Sequence, residues 1–389
     1  MATLKVKEFD PRTIPSTMGC RTFSSWDINW KDDWDNAVMS LANGEDTSVN
    51  CPMSSSHMKD GRGNIAPATI ILPTLAMEAK RKAEKDDNLS YVVDYFIDIL
   101  EKAIEDCKDE LIERFNWICA QKAASAKFMY ENNTFFSYTK DFEKEGIRGA
   151  LKHGTLAIGQ LGLAECLQIL VGCDHTEPRG METAKEIEAL FKRKCAEYKE
   201  NYKLNFGVYY TPAENTCFTA FKKFEKKYGL IENVTAYRDK DTGKLVSRNY
   251  FTNSIHVPVF KEMSPFEKID IESQLTGYSS AGCITYVEVG DKATDNLDAL
   301  EQIVDYAMEK DIPYFACNVR LSDCEKCGYS GYIDYEDPCP ACNASHEYIN
   351  DYARITGYLS TSIKHFNTGK QYETKDRTVH VNKLQKWKQ

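Results

Sequence analysis

Four cysteines in two C-x-x-C pairs, Cys324 with Cys327 and Cys339 with Cys342, constrain the fold of this chain more than any other feature. Each pair has the spacing of a knuckle turn that aims two thiolates at one point, and residues 328 to 338 between them let the two knuckles face each other. Four thiolates close a tetrahedron around Zn²⁺ with no open position, so such a site organises backbone and does no chemistry. A redox dithiol pair and an iron–sulfur cluster use the same ligands and stay open as alternatives. Zinc ribbons also occur in nucleic-acid modules. Here CEKCGYSGYIDYEDPCPAC holds one Lys and no Arg against four acidic residues, a poor surface for phosphates.

The rest of the chain is large and mixed in pattern. Its 389 residues allow one large domain or two to three ordinary ones, and a net charge of −10 argues against nucleic acid or an anionic membrane as a partner. No run reaches the roughly 18 apolar residues of a spanning helix, and MATLKVKEFD lacks the apolar core of a signal peptide, so a cytoplasmic protein is expected. The remaining cysteines are spread along a long chain and are read as thiols.

Residues 1–75 read as irregular, apart from a buried strand at Ala68 to Leu72. A helical pattern follows from Leu75 to Tyr130, with Val92, Tyr95, Phe96, Ile99, Leu100 and Ile104 at spacings of three and four. HGTLAIGQLGLAECLQILVG sets glycines among apolar residues and predicts a buried strand or turn entering a helix; it lacks the GxGxxG spacing of a dinucleotide loop. Further helices are predicted at 181–203, 213–228 and 296–310, strands at 280–289 and 313–319, and a hairpin turning at Asp241-Thr242-Gly243. Helices alternating with short buried strands predict an α/β architecture.

Gly357 stands in RITGYLS, fifteen residues past the last cysteine of the cluster, where a glycine for a left-handed turn is the ordinary reading. The surrounding sequence adds a second one. CEKCG, CPAC, RITGYLS and FNTGKQYETKDRTVH in that order, preceded by PSTMGCRTF, GRGNIAPATIILP, HGTLAIGQLGL, TPAE, NYFTNSIHVPV and ITYVEV, closely resemble the anaerobic (class III) ribonucleoside-triphosphate reductases. These are glycyl radical enzymes, and the resemblance covers nearly the whole chain.

The resemblance implies the second half of a ten-stranded α/β barrel of the glycyl radical enzyme type over residues 1–319, including a cysteine finger loop, and a zinc-binding and glycyl radical domain over 320–389. It implies a stable radical on the α-carbon of Gly357 and a thiyl radical on Cys20, with Met18 and Asn64 beside the substrate and zinc on Cys324, Cys327, Cys339 and Cys342. The implied reaction is oxygen-independent reduction of ribonucleoside triphosphates to deoxyribonucleotides. A radical S-adenosylmethionine activating enzyme with an iron–sulfur cluster is implied as partner, and formate or a redoxin dithiol as reductant. Radical chemistry needs no titratable histidine, so His153 and His256 are expected to pack or to position substrate. Glu288 is expected to make a structural hydrogen bond.

Family members are much longer, and the portion without a counterpart precedes Cys20. With Met1 read as a genuine start, the expectation is a split enzyme in which an N-terminal reductase chain completes the barrel, the whole forming a homo-oligomer. Two alternatives stay beside it: an inactive or regulatory zinc-ribbon remnant, and a spare part that replaces a damaged radical domain.

Overall fold

The computed structural model describes residues 16–18, 21–24, 26–29, 63–131, 146–290, 296–334, 337–355, 358–360 and 362–380. The expected radical residues Cys20 and Gly357 lie outside them.

A parallel sheet forms the frame. β3 (Asn64–Ile71), β4 (Thr155–Leu161) and β5 (Asn205–Tyr209) pair in parallel in that order. Tyr209 then bridges in parallel to Gly282, just ahead of β8 (Thr285–Val289), and β8 pairs in parallel with β9 (Phe315–Val319). The described parallel strands thus form a three-stranded and a two-stranded sheet linked by this one bridge. All seven residues of β4 are buried, as a central parallel strand covered on both faces demands.

Helices cover one face. The predicted helical stretch is in fact two helices, α1 (Leu72–Lys85) and α2 (Val92–Cys119), parted at 86–91. The break is chemical: Asp87 takes a left-handed φ of 51°, and the amides of Asp86 and Asn88 turn back onto the carbonyls of Lys82 and Ala83. On α2 the buried stripe is Phe96, Leu100, Ile104, Leu111 and Phe115, while Ala76, Ala79 and Ala83 of α1 let the backbones approach closely. The strand expected at 68–72 starts earlier, at Asn64, and Leu72 already opens α1, with Pro73 in its first turn.

The glycine-rich segment folds as predicted, as β4 entering α3 (Leu163–Val171). Its glycines answer to packing: a Cβ at Gly159 would collide with the Thr211 hydroxyl, and Gly162 has φ 80° at the turn into α3. The helices predicted at 181–203, 213–228 and 296–310 are α4 (Pro178–Tyr202), α5 (Thr216–Tyr228) and α7 (Leu297–Glu309). The expected hairpin is β6 (Ala236–Arg238) with β7 (Leu245–Ser247). Sequence reading missed β5, which is only five residues long, and α6 (Pro265–Thr276), which opens on a Ser264–Glu267 capping box.

The first seventy-five residues are not wholly irregular. β1 (Ser16–Met18) and β2 (Thr22–Ser24) form an antiparallel hairpin. At the other end, β10 (Leu321–Cys324), β11 (Ser330–Gly331), β12 (Ile349–Ile355) and β13 (Tyr358–Ser360) form an antiparallel sheet in the order β11-β10-β12-β13, followed by α8 (Thr368–Asp376). Among the described residues no helix is long and apolar enough to cross a membrane.

Candidate active site and metal centre

The β1–β2 hairpin is an arm laid along the parallel sheet. Its register pairs Met18 with Thr22, so Cys20 falls in sequence between the two paired strands, outside the described residues. The side chain of Met18 is likewise not described. Halfway along the arm, the Phe23 amide donates to the carbonyl of Ala281 at 3.0 Å. Beyond it, Arg21 lies against Gly282, where any Cβ would strike the Arg21 backbone, and its guanidinium reaches the carbonyl of Thr211 at 3.4 Å. Gly282 is therefore the gap through which the arm passes. Arg21 is buried and stands 5.4 Å from the ring of Tyr286.

Asn64 opens β3 on the same side of the sheet. Its amide nitrogen donates to the Ala281 carbonyl at 3.2 Å, level with Phe23, and its Oδ1 is buried with no hydrogen bond among the described residues. The structure thus brings Asn64 to the arm three residues below the Cys20 position.

Two concavities flank the arm's tip. One is a cavity of about 40 Å³ bounded by Arg21, Asn253, His256, Tyr286, Glu288 and Arg377. Burial pushes the His256 imidazole down to about 4, with Glu272 pulling the other way, so the ring is neutral at pH 7 and donates Nδ1–H to Glu272. Burial alone would raise the Glu272 carboxyl, but Lys268 and His256 outweigh it and hold the group well below its ordinary value. Glu288 accepts from Asn318 at 2.9 Å and faces Arg377 at 3.5 Å, the structural bond expected of it. His153 and His256 are both buried in hydrogen-bonded pairs, in keeping with their expected packing roles.

The second concavity is an open groove of about 370 Å³ between the first turn of α1 and the face of α5 from Thr216 to Tyr228, beside Thr69 and Ile71 at the C-terminal end of β3. Thr69, Thr74, Thr216 and Thr219 line it with Lys223 and Lys227. Neither helix has a side-chain N-cap bond, and the first-turn residues Thr74 of α1 and Thr216 of α5 are among those lining the groove. Thr211 joins groove to arm: its hydroxyl lies 3.1 Å from that of Thr69, and its carbonyl receives Arg21 and, at 2.8 Å, the Ser254 hydroxyl. Sequence reading missed these threonines; the only signal was TPAE at 211–214, a loop with left-handed Ala213 and Glu214 opening onto a helix.

The four cysteines converge as predicted. Their sulfurs all lie within 4.8 Å of one another, with Cys324–Cys342 at 3.7 Å and Cys327–Cys339 at 3.6 Å. A tetrahedron with Zn–S bonds of about 2.3 Å has edges of about 3.8 Å, so the donor set fits the ion. The knuckles are copies of one another. In each, the residue after the second cysteine is left-handed (Gly328, φ 73°; Asn343, φ 58°), and its amide returns to the carbonyl of the first cysteine at 2.8 Å. Cys324 ends β10 and pairs with Ile349 at the start of β12. β12 then pairs with β13, Ile355 opposite Tyr358, which places Gly357 in sequence between the paired ends and outside the described residues. The four-cysteine cluster is thus hydrogen-bonded, strand to strand, to the segment that leads in sequence to Gly357.

α8 returns this C-terminal unit to the sheet. Asp376 accepts from Tyr250 at 2.8 Å and Arg248 at 3.2 Å, Glu373 accepts from Asn253 at 3.1 Å, and the His380 amide donates to the Glu288 carbonyl at 2.8 Å.

Known proteins share this layout. The family model described as anaerobic ribonucleoside-triphosphate reductase matches residues 3–380. The anaerobic ribonucleoside-triphosphate reductase of Escherichia coli (strain K12) is 28% identical over 379 residues, covering 95% of this chain and 46% of its own. That of Enterobacteria phage T4 is 28% identical over 372 residues, covering 94% and 53%. A solved anaerobic ribonucleotide reductase superposes with a TM-score of 0.60 at 20% identity, over 82% of this chain and 45% of that one. The Thermotoga maritima anaerobic ribonucleotide reductase in complex with dATP and CTP gives 0.56 at 19% identity, over 80% and 45%. At such identities the structural likeness is one of fold. The chain spans about half the length of the curated relatives it matches. With the family model running unbroken through arm, sheet and ribbon, the chain belongs to the anaerobic ribonucleoside-triphosphate reductase family.

Proposed function

We propose that this chain is the catalytic C-terminal part of an oxygen-independent ribonucleoside-triphosphate reductase, acting with an N-terminal chain that supplies the other half of the barrel. The observation that carries the reading is the meeting of arm and groove at Thr211, within a chain whose family match covers residues 3–380. The groove suits a triphosphate, because four threonine hydroxyls and two lysines present donors and positive charge to it. The arm carries Cys20 toward the same end of the sheet.

In this reading an activating enzyme of the radical S-adenosylmethionine type removes one hydrogen atom from Gly357. With no Cβ, the planar radical meets no side chain, and the flanking amide and carbonyl share the unpaired electron. Cys20 gives its thiol hydrogen to the Gly357 radical, and the sulfur radical takes the ribose 3′-hydrogen. The 2′-hydroxyl then leaves as water, and two electrons come from formate, oxidised to carbon dioxide, or from a redoxin dithiol, oxidised to a disulfide. Return of the hydrogen from Cys20 to C3′ and recovery of the Gly357 radical close the cycle. Met18 and Asn64 flank the sugar, and zinc on Cys324, Cys327, Cys339 and Cys342 holds the ribbon's shape without entering the chemistry.

The test is anaerobic turnover: the activated chain is incubated with each ribonucleoside triphosphate and formate or a redoxin, with and without the candidate N-terminal chain. Deoxyribonucleotide formed only with both chains supports the proposal. Full activity from the chain alone as a folded monomer would overturn the split-enzyme reading. No product under any combination would favour the zinc-ribbon remnant.

A further inference from the structure

The arm is anchored by a buried polar clasp at its foot, seven residues after Cys20. Asp27 is 2% exposed, one of the few carboxylates buried so deeply here. Its Oδ2 meets His153 Nδ1, and its Oδ1 accepts from Asn205 Nδ2 at 2.8 Å and from the Asn29 amide at 2.9 Å. Asn205 also accepts from the Ile28 amide at 2.9 Å. Asn29 extends its own amide to the carbonyls of Lys152 and Lys203, each at 3.1 Å, and Lys199 donates to the Trp26 carbonyl. Burial pushes Lys199 down to about 8, so this contact, too, is made away from water.

The clasp's location gives it a purpose. His153 precedes β4 and Asn205 begins β5, so the clasp grips the N-terminal ends of the strands, whereas Arg21 touches Thr211 beyond the C-terminal end of β5. From Arg21 to Asp27 the chain takes six residue steps, beginning with the extended β2, and at roughly 3.3 Å each they span at most about 20 Å. Over that length a slip of one residue at the foot moves the tip by the same 3.3 Å and turns every side chain of the arm to the opposite face. A buried carboxylate is costly to desolvate unless its partners are in place, so one register is strongly selected.

We propose that Asp27, with His153 and Asn205, is a positioning group for catalysis: the clasp sets how far the arm reaches and so holds the Cys20 sulfur within hydrogen-transfer distance of Gly357. The inference rests on the radical reading of those two residues and adds to it a register device.

Solvent deuterium provides the readout. In D2O the Cys20 S–D gives deuterium to the glycyl radical, forming a Cα–D bond and a sulfur radical. The sulfur then takes back the protium, and the electron paramagnetic resonance doublet collapses to a singlet at a rate set by the sulfur's reach. Asp27→Ala is expected to take up the glycyl radical at the wild-type level yet to slow the collapse about 100-fold, the scale of a misplacement near 1 Å. Asp27→Asn, which keeps the acceptor for Asn29 and Asn205, should restore most of the rate. Amides of residues 16–24 should exchange faster in Asp27→Ala, with those of α4 unchanged. If Asp27→Ala fails to fold, Asn205→Ser carries the same expectations.

Collapse at the wild-type rate in the folded Asp27→Ala variant, or slowing that Asp27→Asn does not relieve, overturns the clasp. Collapse that survives Cys20→Ser, or no glycyl doublet in the wild type, overturns instead the radical reading beneath it.

Discussion

At the scale of single residues, the buried polar groups keep strict count of their protons. The Tyr210 hydroxyl has one hydrogen and lies 2.7 Å from the Leu275 carbonyl and 3.0 Å from Glu188 Oε2; Gln160 already donates to the other carboxyl oxygen. The chain of bonds closes only if Glu188 is protonated and donates to Tyr210, which in turn donates to Leu275. Burial supports this by pushing the Glu188 carboxyl up to about 8, against the pull of Gln160 and Tyr210. The folded state therefore holds a proton that the unfolded chain releases near pH 4.5. Stability should fall as pH rises from about 4.5 to about 8, by on the order of a few kcal/mol, and level off above. In Glu188→Gln, whose amide replaces the lost proton donor, the decline in thermal midpoint between pH 5 and 8 should flatten; an unchanged slope would mean that Glu188 is not its source. None of this was legible in sequence, where Glu188 is one acid in a helix rich in charge. Gly357, expected from sequence as the radical residue, lies outside the described residues, in sequence between the paired ends of β12 and β13.

At the scale of elements, sequence pattern was most informative where one rule dominated. The ligand spacing at 324–342 demands that four thiols converge, and the amphipathic period of α2 demands one buried stripe; both are seen. The arm and β5 escaped because three- and five-residue strands are too short for alternation to register, and because their partners lie far away in sequence. The clasp escaped for the same reason: Asp27, His153 and Asn205 are brought together only by the parallel sheet. In the ribbon, β10 is paired to β12 along Leu321–Cys324, so loss of the metal should loosen the strand that carries the glycine loop. Structural zinc contributes on the order of 10 kcal/mol in small modules. Cys339→Ser is expected to lose stoichiometric zinc by elemental analysis and to form little or no glycyl radical, with the barrel part's thermal transition retained. Normal radical yield in the zinc-free variant would separate the ribbon from the radical site.

At the scale of the whole molecule, the described parallel strands form two sheets, β3-β4-β5 and β8-β9, joined by the Tyr209–Gly282 bridge, with β3 at the outer edge of the first. Edge strands of a parallel sheet are templates for pairing, and in the proposed split enzyme the β3 edge would receive a strand of the N-terminal chain. Arg114, donating to the Pro67 carbonyl at 2.8 Å, covers part of the β3 edge. Family resemblance was readable over the whole length because several separate motifs recur in order; the placement of the arm against Gly282 and Thr211 was not, since it depends on close backbone approach that no motif spells out. The central claim is that this fold brings a glycyl radical at Gly357 under the control of Cys20. The most direct test is anaerobic electron paramagnetic resonance of the chain after treatment with the activating enzyme, S-adenosylmethionine and reductant, comparing wild type with Gly357→Ala, each with and without the N-terminal chain. The account predicts a doublet in the wild type that the alanine variant lacks; a doublet that persists in Gly357→Ala, or none in any wild-type sample, would contradict it.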